Sequence, residues 1–341
     1  MRRHDNFQLK ELNTFGISAC CDQFIEFENE SDLLTLYHEG TFRNPWMVVG
    51  CGANLLFCGD YKGVVLHAVS KEVCVVEDSA ESLLVRVDAG MILDDFIAFS
   101  VSNGWGGVEN LSAIPCSVGA APVQNVGAYG VEAKNVVERV HLFNTNDGSV
   151  CSLSAAECAF GYRESLFKSH PEYVVLRVDF RLTKYPFHRL RLDYGNLRAA
   201  LDANFDETSE NALSGVREAV CRVRDSKLPA PSKIGSAGSF FKNPVVERSV
   251  VERLLESYPN MPYYEVGDQC KIPAGWMIDQ AGWKGFREGC VGVYEKQALV
   301  LVNYGGATGA EVWHLALRIA DSVKEKFGVE ISPEVIRVGA Y

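Results

Sequence analysis

The stretch GCGANLLF (residues 50–57) follows the apolar run WMVVG, which is typical of a buried strand that ends at Gly50. A nicotinamide-binding Rossmann domain requires a strand, a G-x-G-x-x-G turn and a helix in that order. Here Leu55 stands at the third glycine position, and the following FCGDYKGVVLH has the pattern of a turn and a strand. A Rossmann domain is therefore disfavoured. Either the turn cradles a phosphate with successive backbone N–H groups, or it joins two strands without any ligand.

The pattern on both sides of this turn predicts an α+β fold with hairpins rather than a doubly wound sheet. A helix is expected over 31–39, with Ser31 as its cap and Gly40 as its stop. VVERVHLFN and SVCSL flank Asn-Asp-Gly, which predicts a hairpin because Asp-Gly suits a tight turn. Further strands are predicted at 73–77, 83–90, 173–184 and 298–306. Further helices are predicted at 91–103, 210–226, 245–257, 274–281 and 309–327. The last helix is expected to begin with a capping box of Thr308 and Glu311 and to end at Gly328.

Composition limits the classes of partner. The 341 residues predict two or three domains, and the net charge of -11 argues against nucleic acid or an anionic membrane as the main partner. The 11 cysteines include no C-x-x-C pair and are expected to be free thiols in a reducing compartment. The start, MRRHDNFQLKELN, has no apolar core, so no signal peptide is expected. We therefore expect a cytoplasmic protein without a membrane span.

A second glycine-rich stretch, NLSAIPCSVGAAPVQNVGAYG (110–130), carries no charge. Its small residues would let the backbone approach a flat cofactor closely, and Gln124 and Asn125 could read polar edges of a heterocycle. The alternative is a buried loop without a ligand, but such a loop must satisfy many backbone polar groups.

Three side chains are candidates for chemistry. Arg163, in FGYRES, could hold a carboxylate with its two-pronged guanidinium. Ser239, in GSAGSFFKNP, lies among glycines and phenylalanines, and Glu334 follows a proline in ISPEV. Read singly, each has a plainer alternative: a surface arginine, a turn serine and an exposed carboxylate. No G-x-S-x-G surrounds Ser239, and the seven histidines show no metal-ligand spacing.

The ordered set of motifs is more specific than any single one. Eight motifs follow one another along the chain: LNTFGI, GCGANLLF, ENLSAIPCSVGAAPVQNVGAYG, FGYRES, KLPAPSK, GSAGSFFKNP, AGWMIDQAGWKG and PEV. In this order they closely resemble the UDP-N-acetylenolpyruvoylglucosamine reductase family, over almost the whole length. The stretch from Gly161 into LDYGNL resembles the longer subtype, in which a tyrosine loop covers the substrate.

The resemblance implies a fold, a reaction and its cofactors. The fold would be the FAD-binding type of vanillyl-alcohol oxidase and p-cresol methylhydroxylase, with subdomains at 1–68 (joined by the tail 329–341) and 69–226 and a separate α+β substrate domain at 227–328. FAD would be the cofactor and NADPH the hydride donor. The substrate would be UDP-N-acetylglucosamine enolpyruvate, reduced to UDP-N-acetylmuramate for peptidoglycan synthesis. The resemblance also implies a monomer.

The same resemblance assigns roles to residues. Arg163 and Glu334 would stabilise and polarise the reacting carboxylate group, and Ser239 would donate the proton, with Phe240 and Phe241 keeping bulk water away. FAD would be held by residues of the two glycine-rich stretches: Gly50, Cys51, Gly52, Ala53, Asn54, Ser117, Gly119, Gln124, Asn125 and Gly127. The substrate would be contacted by Tyr194, Lys227, Asn243 and Gln297. Three further residues would lie near the site: Tyr162, Arg224 and Lys242.

Two positions depart from the family pattern. Cys116 stands where a glycine usually follows the proline, which would matter if the backbone there needed a conformation that cysteine resists. Ile336 separates PEV from Arg337, so one contact of the arginine could be shifted. Two other functions remain open: an FAD-dependent oxidoreductase of this fold that acts on a different carboxylate, and a binding protein without catalytic activity.

Overall fold

The computed structural model describes residues 1–339 and divides into two compact units. The first unit comprises residues 1–7, 21–51 and 62–225; the second comprises 8–20, 52–61 and the chain from 226 onward. The three-part division expected from the sequence stays a prediction, and residues 340 and 341 of its returning tail lie outside the described residues.

Within residues 1–339, the α-helices and strands are numbered in chain order. The helices are α1 (Glu30–Glu39), α2 (Leu93–Ser102), α3 (Leu197–Ala200), α4 (Ala212–Lys227), α5 (Arg248–Ser257), α6 (Ala274–Gln280) and α7 (Gly309–Phe327). The strands are β1 (Arg2–Gln8), β2 (Cys20–Phe27), β3 (Trp46–Val48), β4 (Leu55–Phe57), β5 (Tyr61–Ala68), β6 (Val73–Asp78), β7 (Ser82–Asp88), β8 (Trp105–Gly106), β9 (Gly127–Ala128), β10 (Val131–Glu132), β11 (Val137–Asn144), β12 (Val150–Ser154), β13 (Tyr173–Lys184), β14 (Val245–Glu247), β15 (Tyr264–Val266), β16 (Gln269–Lys271), β17 (Arg287–Glu288), β18 (Val291–Val293), β19 (Leu301–Asn303) and β20 (Ile336–Val338).

The first unit is built on a six-stranded antiparallel sheet. Its strand order is β12-β11-β13-β7-β6, with β8 paired to the end of β13. Val85 and Val178 share one buried core with α2, where the rings of Phe96 and Phe180 lie 4.9 Å apart. A four-stranded sheet in the order β1-β2-β5-β3 shares a second core with α1. The predicted hairpin is confirmed as β11 and β12, joined through Gly148 at φ 73°.

Helix α1 shows how local capping sets its start. The predicted helix is confirmed, and Gly40 ends it in the left-handed conformation. The expected cap Ser31 is wrong, because the Oδ1 atom of Asn29 accepts hydrogen bonds from the backbone N–H groups of Ser31 (3.0 Å) and Asp32 (3.2 Å). An asparagine oxygen serves this purpose as well as a serine hydroxyl.

The second unit contains the long helix α7, the two small sheets β14-β16-β15 and β17-β18-β19, and the parallel pair β4 and β20. Helix α7 has the bounds that the sequence predicts. Thr308 and Glu311 form a capping box, and Gly328 closes the helix at φ 66°. Within the tail that begins at residue 329, β20 pairs Ile336 with Leu55 of β4.

Three predicted elements differ from the structure. The strand expected over 298–306 is limited to β19. Before β19 the Val300 N–H donates to the Gln297 carbonyl (3.1 Å) in a turn, and after it the Oδ1 atom of Asn303 accepts hydrogen bonds from Gly305 (2.8 Å) and Ala307 (3.1 Å) and turns the chain. The helix expected from residue 245 begins at Arg248, after β14 has paired with β16. WMVVG forms β3, but its Val48 is 40% exposed, so this strand is not buried throughout. Among the helices of residues 1–339, none is both long and apolar enough to cross a bilayer.

Candidate active site

A cavity of about 360 Å³ in the first unit lies against the glycine turn, with Gly50, Cys51, Gly90 and Ser117 in its wall. A Cβ atom on Gly50 would lie 2.4 Å from the Ser117 hydroxyl oxygen, so only glycine allows the two segments to approach this closely. The volume is within the range of small-molecule sites. The side of the wall that is formed by Gly50, Cys51, Gly90 and Ser117 fits the diphosphate portion of a dinucleotide.

Lys71 is a member of this wall that the sequence does not single out. Burial raises the pKa of the neighbouring Cys51 thiol, and the Lys71 ammonium partly offsets that increase. The lysine therefore supplies positive charge beside the turn, which suits an anionic ligand. The cavity also includes Arg2, whose guanidinium pairs with Glu26 at 2.8 Å. No sequence motif joins Lys71 to Cys51, so the structure alone identifies Lys71 as a residue of the cavity wall.

Arg163 lies in a strained loop of the first unit. Its φ of 56° is unusual for a residue with a side chain, and such strain is often found at functional sites. The Arg163 guanidinium donates to the Gly127 carbonyl (3.0 Å) and lies 5.6 Å from the Tyr162 ring centre. The Asn125 amide donates to the carbonyl of Gly161 at 2.9 Å and so ties this loop to the second glycine stretch.

Both the nitrogen and the oxygen of the Asn125 side-chain amide form hydrogen bonds within the protein. Its Nδ2 atom also donates to Glu132 (3.0 Å), and its Oδ1 atom accepts from the backbone of Lys134 (2.9 Å). The predicted contact of Asn125 with FAD stays a prediction. Gly119 bonds to the Ala89 carbonyl at 2.9 Å, and Gln124 is half-buried beside Asn125.

Cys116 needs no glycine-like backbone. Among residues 1–339 it is not one of the non-glycine residues with positive φ, whereas Ala113 has φ 59°. The family departure at Cys116 is therefore compatible with the loop geometry. Burial raises the pKa of the Cys116 thiol, and the nearby Cys51 raises it further.

Arg224 lies inside the first unit and donates to the Ala113 carbonyl at 3.2 Å. Burial lowers the pKa of its guanidinium, and the phenol of Tyr129 opposes that change. Tyr194, in the tyrosine loop, is 56% exposed and packs over Gly130. The first unit thus brings Tyr129, Gly130, Tyr194 and Arg224 into one neighbourhood.

The second unit brings Ser239 and Glu334 together. The Glu334 N–H donates to the Phe240 carbonyl at 2.7 Å, and Phe241 forms a bridge with Pro333. Phe240 and Phe241 are fully buried in the core, whereas Ser239 is exposed. The expectation that the two rings shield the serine from water is therefore wrong. Their buried rings instead anchor the backbone that pairs with the Glu334 segment.

Asn54 fixes the same tail segment. Its side-chain amide donates to the Glu334 carbonyl (3.2 Å), and its own carbonyl accepts from the Ile336 N–H (2.9 Å). The position of Glu334 thus depends on the glycine turn. Gly52 and Ala53 belong to this unit as well. Arg337, which follows the inserted Ile336, lies 5.0 Å from the Trp313 ring centre.

Asn243 and Gln297 meet at the start of α6. The Asn243 Oδ1 atom accepts from the Ala274 N–H at 2.9 Å, and the Gln297 Oε1 atom lies 3.1 Å from the position of a Cβ on Gly275. Lys242 bonds through its backbone N–H to Ser332 at 2.9 Å, and Lys227 is exposed at the end of α4. Arg163 belongs to the first unit, and Ser239 and Glu334 belong to the second.

Comparison with known proteins places the chain in a class and then in a family. One family profile, described as "FAD binding domain", matches residues 21–154, so the chain is of the FAD-binding class. A second, described as "UDP-N-acetylenolpyruvoylglucosamine reductase, C-terminal domain", matches residues 230–338. Curated proteins named UDP-N-acetylenolpyruvoylglucosamine reductase are 44% identical in Pseudomonas aeruginosa (97% of both chains) and 45% identical in Bacteroides fragilis (96% of this chain, 98% of the relative). The chain belongs to the UDP-N-acetylenolpyruvoylglucosamine reductase family.

A solved structure supports the fold assignment. The crystal structure of UDP-N-acetylenolpyruvylglucosamine reductase from Thermus caldophilus aligns with a TM-score of 0.70, covering 99% of this chain and 98% of that one at 23% identity. Together with the FAD-binding profile, this alignment confirms the predicted fold class, and the relatives confirm the resemblance found in the motifs.

Proposed function

We propose that the chain reduces the enolpyruvyl group of UDP-N-acetylglucosamine enolpyruvate to give UDP-N-acetylmuramate, with FAD as cofactor and NADPH as the source of hydride. The observation that carries the proposal is the similarity to curated reductases over 96–97% of the chain. In this proposal Arg163, Ser239 and Glu334 are the catalytic residues, as the resemblance of their motifs implies. The proposal includes a cytoplasmic, monomeric enzyme of peptidoglycan precursor synthesis.

The cavity residues fit the diphosphate of FAD. Gly50, Cys51 and Ser117 would hold it through backbone and hydroxyl groups, and Lys71 would neutralise part of its charge. When bound, FAD supplies the hydride chemistry, accepting from NADPH and delivering to the substrate. The protein's contribution is therefore placement, charge stabilisation and proton supply.

Arg163 and Glu334 act on the charge that the reaction creates. Hydride addition to the terminal carbon of the enol ether leaves negative charge on the neighbouring carbon and its carboxylate. A guanidinium bonded to that carboxylate stabilises the charge as it develops. The bond to Gly127 and the contact with Tyr162 limit the directions that Arg163 can take. Glu334 would polarise the enolpyruvyl group.

Ser239 completes the reduction by giving its hydroxyl proton to the neighbouring carbon. The substrate then gains one hydride and one proton, and NADPH becomes NADP⁺. Serine is a weak acid, so it donates only to a strongly basic carbanion or enolate held beside it. Because Ser239 is exposed, water can return the proton to the serine after turnover.

The nucleotide portion of the substrate would be held by Tyr194, Lys227, Asn243 and Gln297. Asn243 accepts from the α6 backbone through Oδ1, and Gln297 accepts from Leu299 through Oε1 (3.3 Å). Their NH₂ groups are the donors that we assign to the sugar nucleotide. Lys227 would pair with phosphate charge.

A steady-state assay tests the proposal. FAD-loaded protein should oxidise NADPH only when UDP-N-acetylglucosamine enolpyruvate is present, and mass spectrometry should show a product with two added hydrogens. NADH in place of NADPH tests the choice of donor. Binding of the sugar nucleotide without turnover would support a catalytically silent binding protein. Turnover only with a different unsaturated carboxylate would support the other oxidoreductase.

A further inference from the structure

A buried contact between a carboxylate and an imidazole holds the base of the loop that carries Tyr194. The Glu109 carboxylate, 1% exposed, contacts His188 Nε2 at 2.7 Å through one oxygen and the Gly107 N–H at 2.6 Å through the other. The His188 ring covers Gly106, where a Cβ would lie 2.3 Å from a ring carbon. A residue other than glycine at 106 would displace the ring.

Asn110, the next residue, ties the same loop to the second glycine stretch. It is fully buried, and its Nδ2 atom donates to the carbonyls of Tyr129 and Arg191, each at 2.8 Å. The Arg191 guanidinium also donates to the Gly130 carbonyl at 3.2 Å. The base of the loop is therefore fixed against the residues on which Tyr194 rests.

Tyr194 lies on a short exposed segment between two buried leucines. Leu192 and Leu197 share a core with Val216 and Val220 of α4, while residues 193–196 face solvent. The Cβ of Tyr194 is 3.3 Å from the position of a Cβ on Gly130. Because the segment is short, the position of the phenol depends on where residues 188–192 are held.

We propose that Glu109, Asn110, His188 and Arg191 form a loop anchor that positions Tyr194 for the nucleotide-sugar substrate. The inference rests on the proposed function, in which Tyr194 contacts that substrate. These four residues touch neither the cofactor cavity nor the proposed reacting groups, so they are positioning residues.

Removing the His188 imidazole leaves one oxygen of the buried Glu109 carboxylate without its partner. A buried carboxylate with a missing partner is costly, so the neighbouring chain must shift to admit water. A loop that samples several positions binds its ligand more weakly, because binding must then order it. The binding energy lost in this way is lost equally for the bound substrate and for the transition state, so KM rises and kcat is unchanged.

The chain contains a matched control. His141 contacts Asp179 at 2.9 Å, and the side-chain exposures of that pair, 17% and 1%, resemble the 13% and 1% of His188 and Glu109. The Asp179 pair lies on β11 and β13, away from the tyrosine loop. In His141→Gln, Asp179 keeps its bonds from Arg86 (2.8 and 2.9 Å), so this variant should lose less stability than His188→Gln. Only His188→Gln should affect the substrate.

We expect His188→Gln to raise the KM for UDP-N-acetylglucosamine enolpyruvate about tenfold, equivalent to about 1.4 kcal/mol, with kcat unchanged. His141→Gln should leave both constants unchanged. Arg191→Met, at an exposed position that cannot unfold the core, should raise the same KM about threefold. Equal KM values in wild type, His188→Gln and Arg191→Met would overturn the loop anchor, as would an equal rise in His141→Gln.

Hydrogen exchange separates failure of this inference from failure of the proposed function. The amides of residues 189–196 should exchange faster in His188→Gln than in wild type, and at the wild-type rate in His141→Gln. That result needs no turnover, so it would stand if the reductase assay failed. Unchanged exchange in His188→Gln would contradict the anchor even in an active enzyme.

Discussion

In the proposed reaction, Ser239 would convert hydride addition into a completed reduction by donating the proton. Its neighbours Phe240 and Phe241 are buried and fix the backbone, so the serine is held in place although it is exposed. Ser239→Ala should leave reduction of FAD by NADPH near normal. The second half-reaction, with the sugar nucleotide, should slow about 10²–10⁴-fold. Stopped-flow absorbance of the flavin measures both steps.

Ser232→Ala provides the control, because Ser232 is also exposed and precedes the same motif. Both half-reactions should keep their wild-type rates in this variant. Equal slowing of both half-reactions in Ser239→Ala would reject the proton-donor role and indicate general damage to the site.

Lys71 gives a second test at the residue scale. If its ammonium neutralises the FAD diphosphate, Lys71→Met should weaken FAD binding about tenfold, as expected for one charge-assisted hydrogen bond. Fluorescence titration of the apoprotein with FAD measures this constant. Lys62→Met, which removes an exposed lysine beside Asp22, should leave it unchanged. An unaltered FAD affinity in Lys71→Met would remove Lys71 from the site.

Among the elements, α7 owes its start to one threonine. The Thr308 hydroxyl accepts from the Glu311 N–H at 3.2 Å, and Glu311 binds back to the Thr308 N–H at 2.7 Å. Thr308→Ala should lower the free energy of unfolding by about 1 kcal/mol. Urea denaturation measures the loss. Thr35→Ala, at an exposed threonine within α1, should cost less, and a loss of equal size would deny Thr308 a capping role.

Local signals made several elements predictable. The bounds of α7 follow from its capping box and terminal glycine, and β13 follows from an alternating run of apolar residues. The strand expected at 298–306 ends early because the side chain of Asn303 turns the chain, which no propensity reveals. The cap of α1 was misplaced by two residues because Asn29 and Ser31 both suit that position.

Long-range partners explain why parts of the site could not be predicted. The motifs identify Arg163, Ser239 and Glu334 only through family resemblance, and their roles stay predictions. The bonds from Asn54 to the Glu334 segment and from Glu109 to His188 join residues far apart in sequence. A single sequence carries no signal for such pairs, so their positioning roles require coordinates.

For the whole molecule, acid stability depends on buried carboxylates. Burial opposes ionisation of Asp179, but the bonds from Arg86 (2.8 and 2.9 Å) and His141 (2.9 Å) outweigh it and lower the pKa of Asp179 to about 2. A carboxyl group with a lowered pKa in the folded state stabilises that state above its unfolded pKa of 3.8. The stabilisation is lost as the pH falls from about 4 towards 2.

The expected size of this contribution is about 2 kcal/mol. Urea unfolding between about pH 5 and pH 2 should therefore show a steeper loss of stability in wild type than in Asp179→Asn. Asp321→Asn, at an exposed position on α7, should follow the wild-type slope. Identical slopes in wild type and Asp179→Asn would show that this carboxylate does not control acid stability.

The proposed reaction depends on delivery of a hydride to one unsaturated carboxylate. A single-turnover measurement tests this directly: the FAD-loaded protein is reduced anaerobically with one equivalent of NADPH and mixed with UDP-N-acetylglucosamine enolpyruvate, while flavin absorbance is followed. We expect full reoxidation of the flavin, with one UDP-N-acetylmuramate formed per flavin. Flavin that stays reduced after mixing, in protein shown to bind the sugar nucleotide, would contradict it.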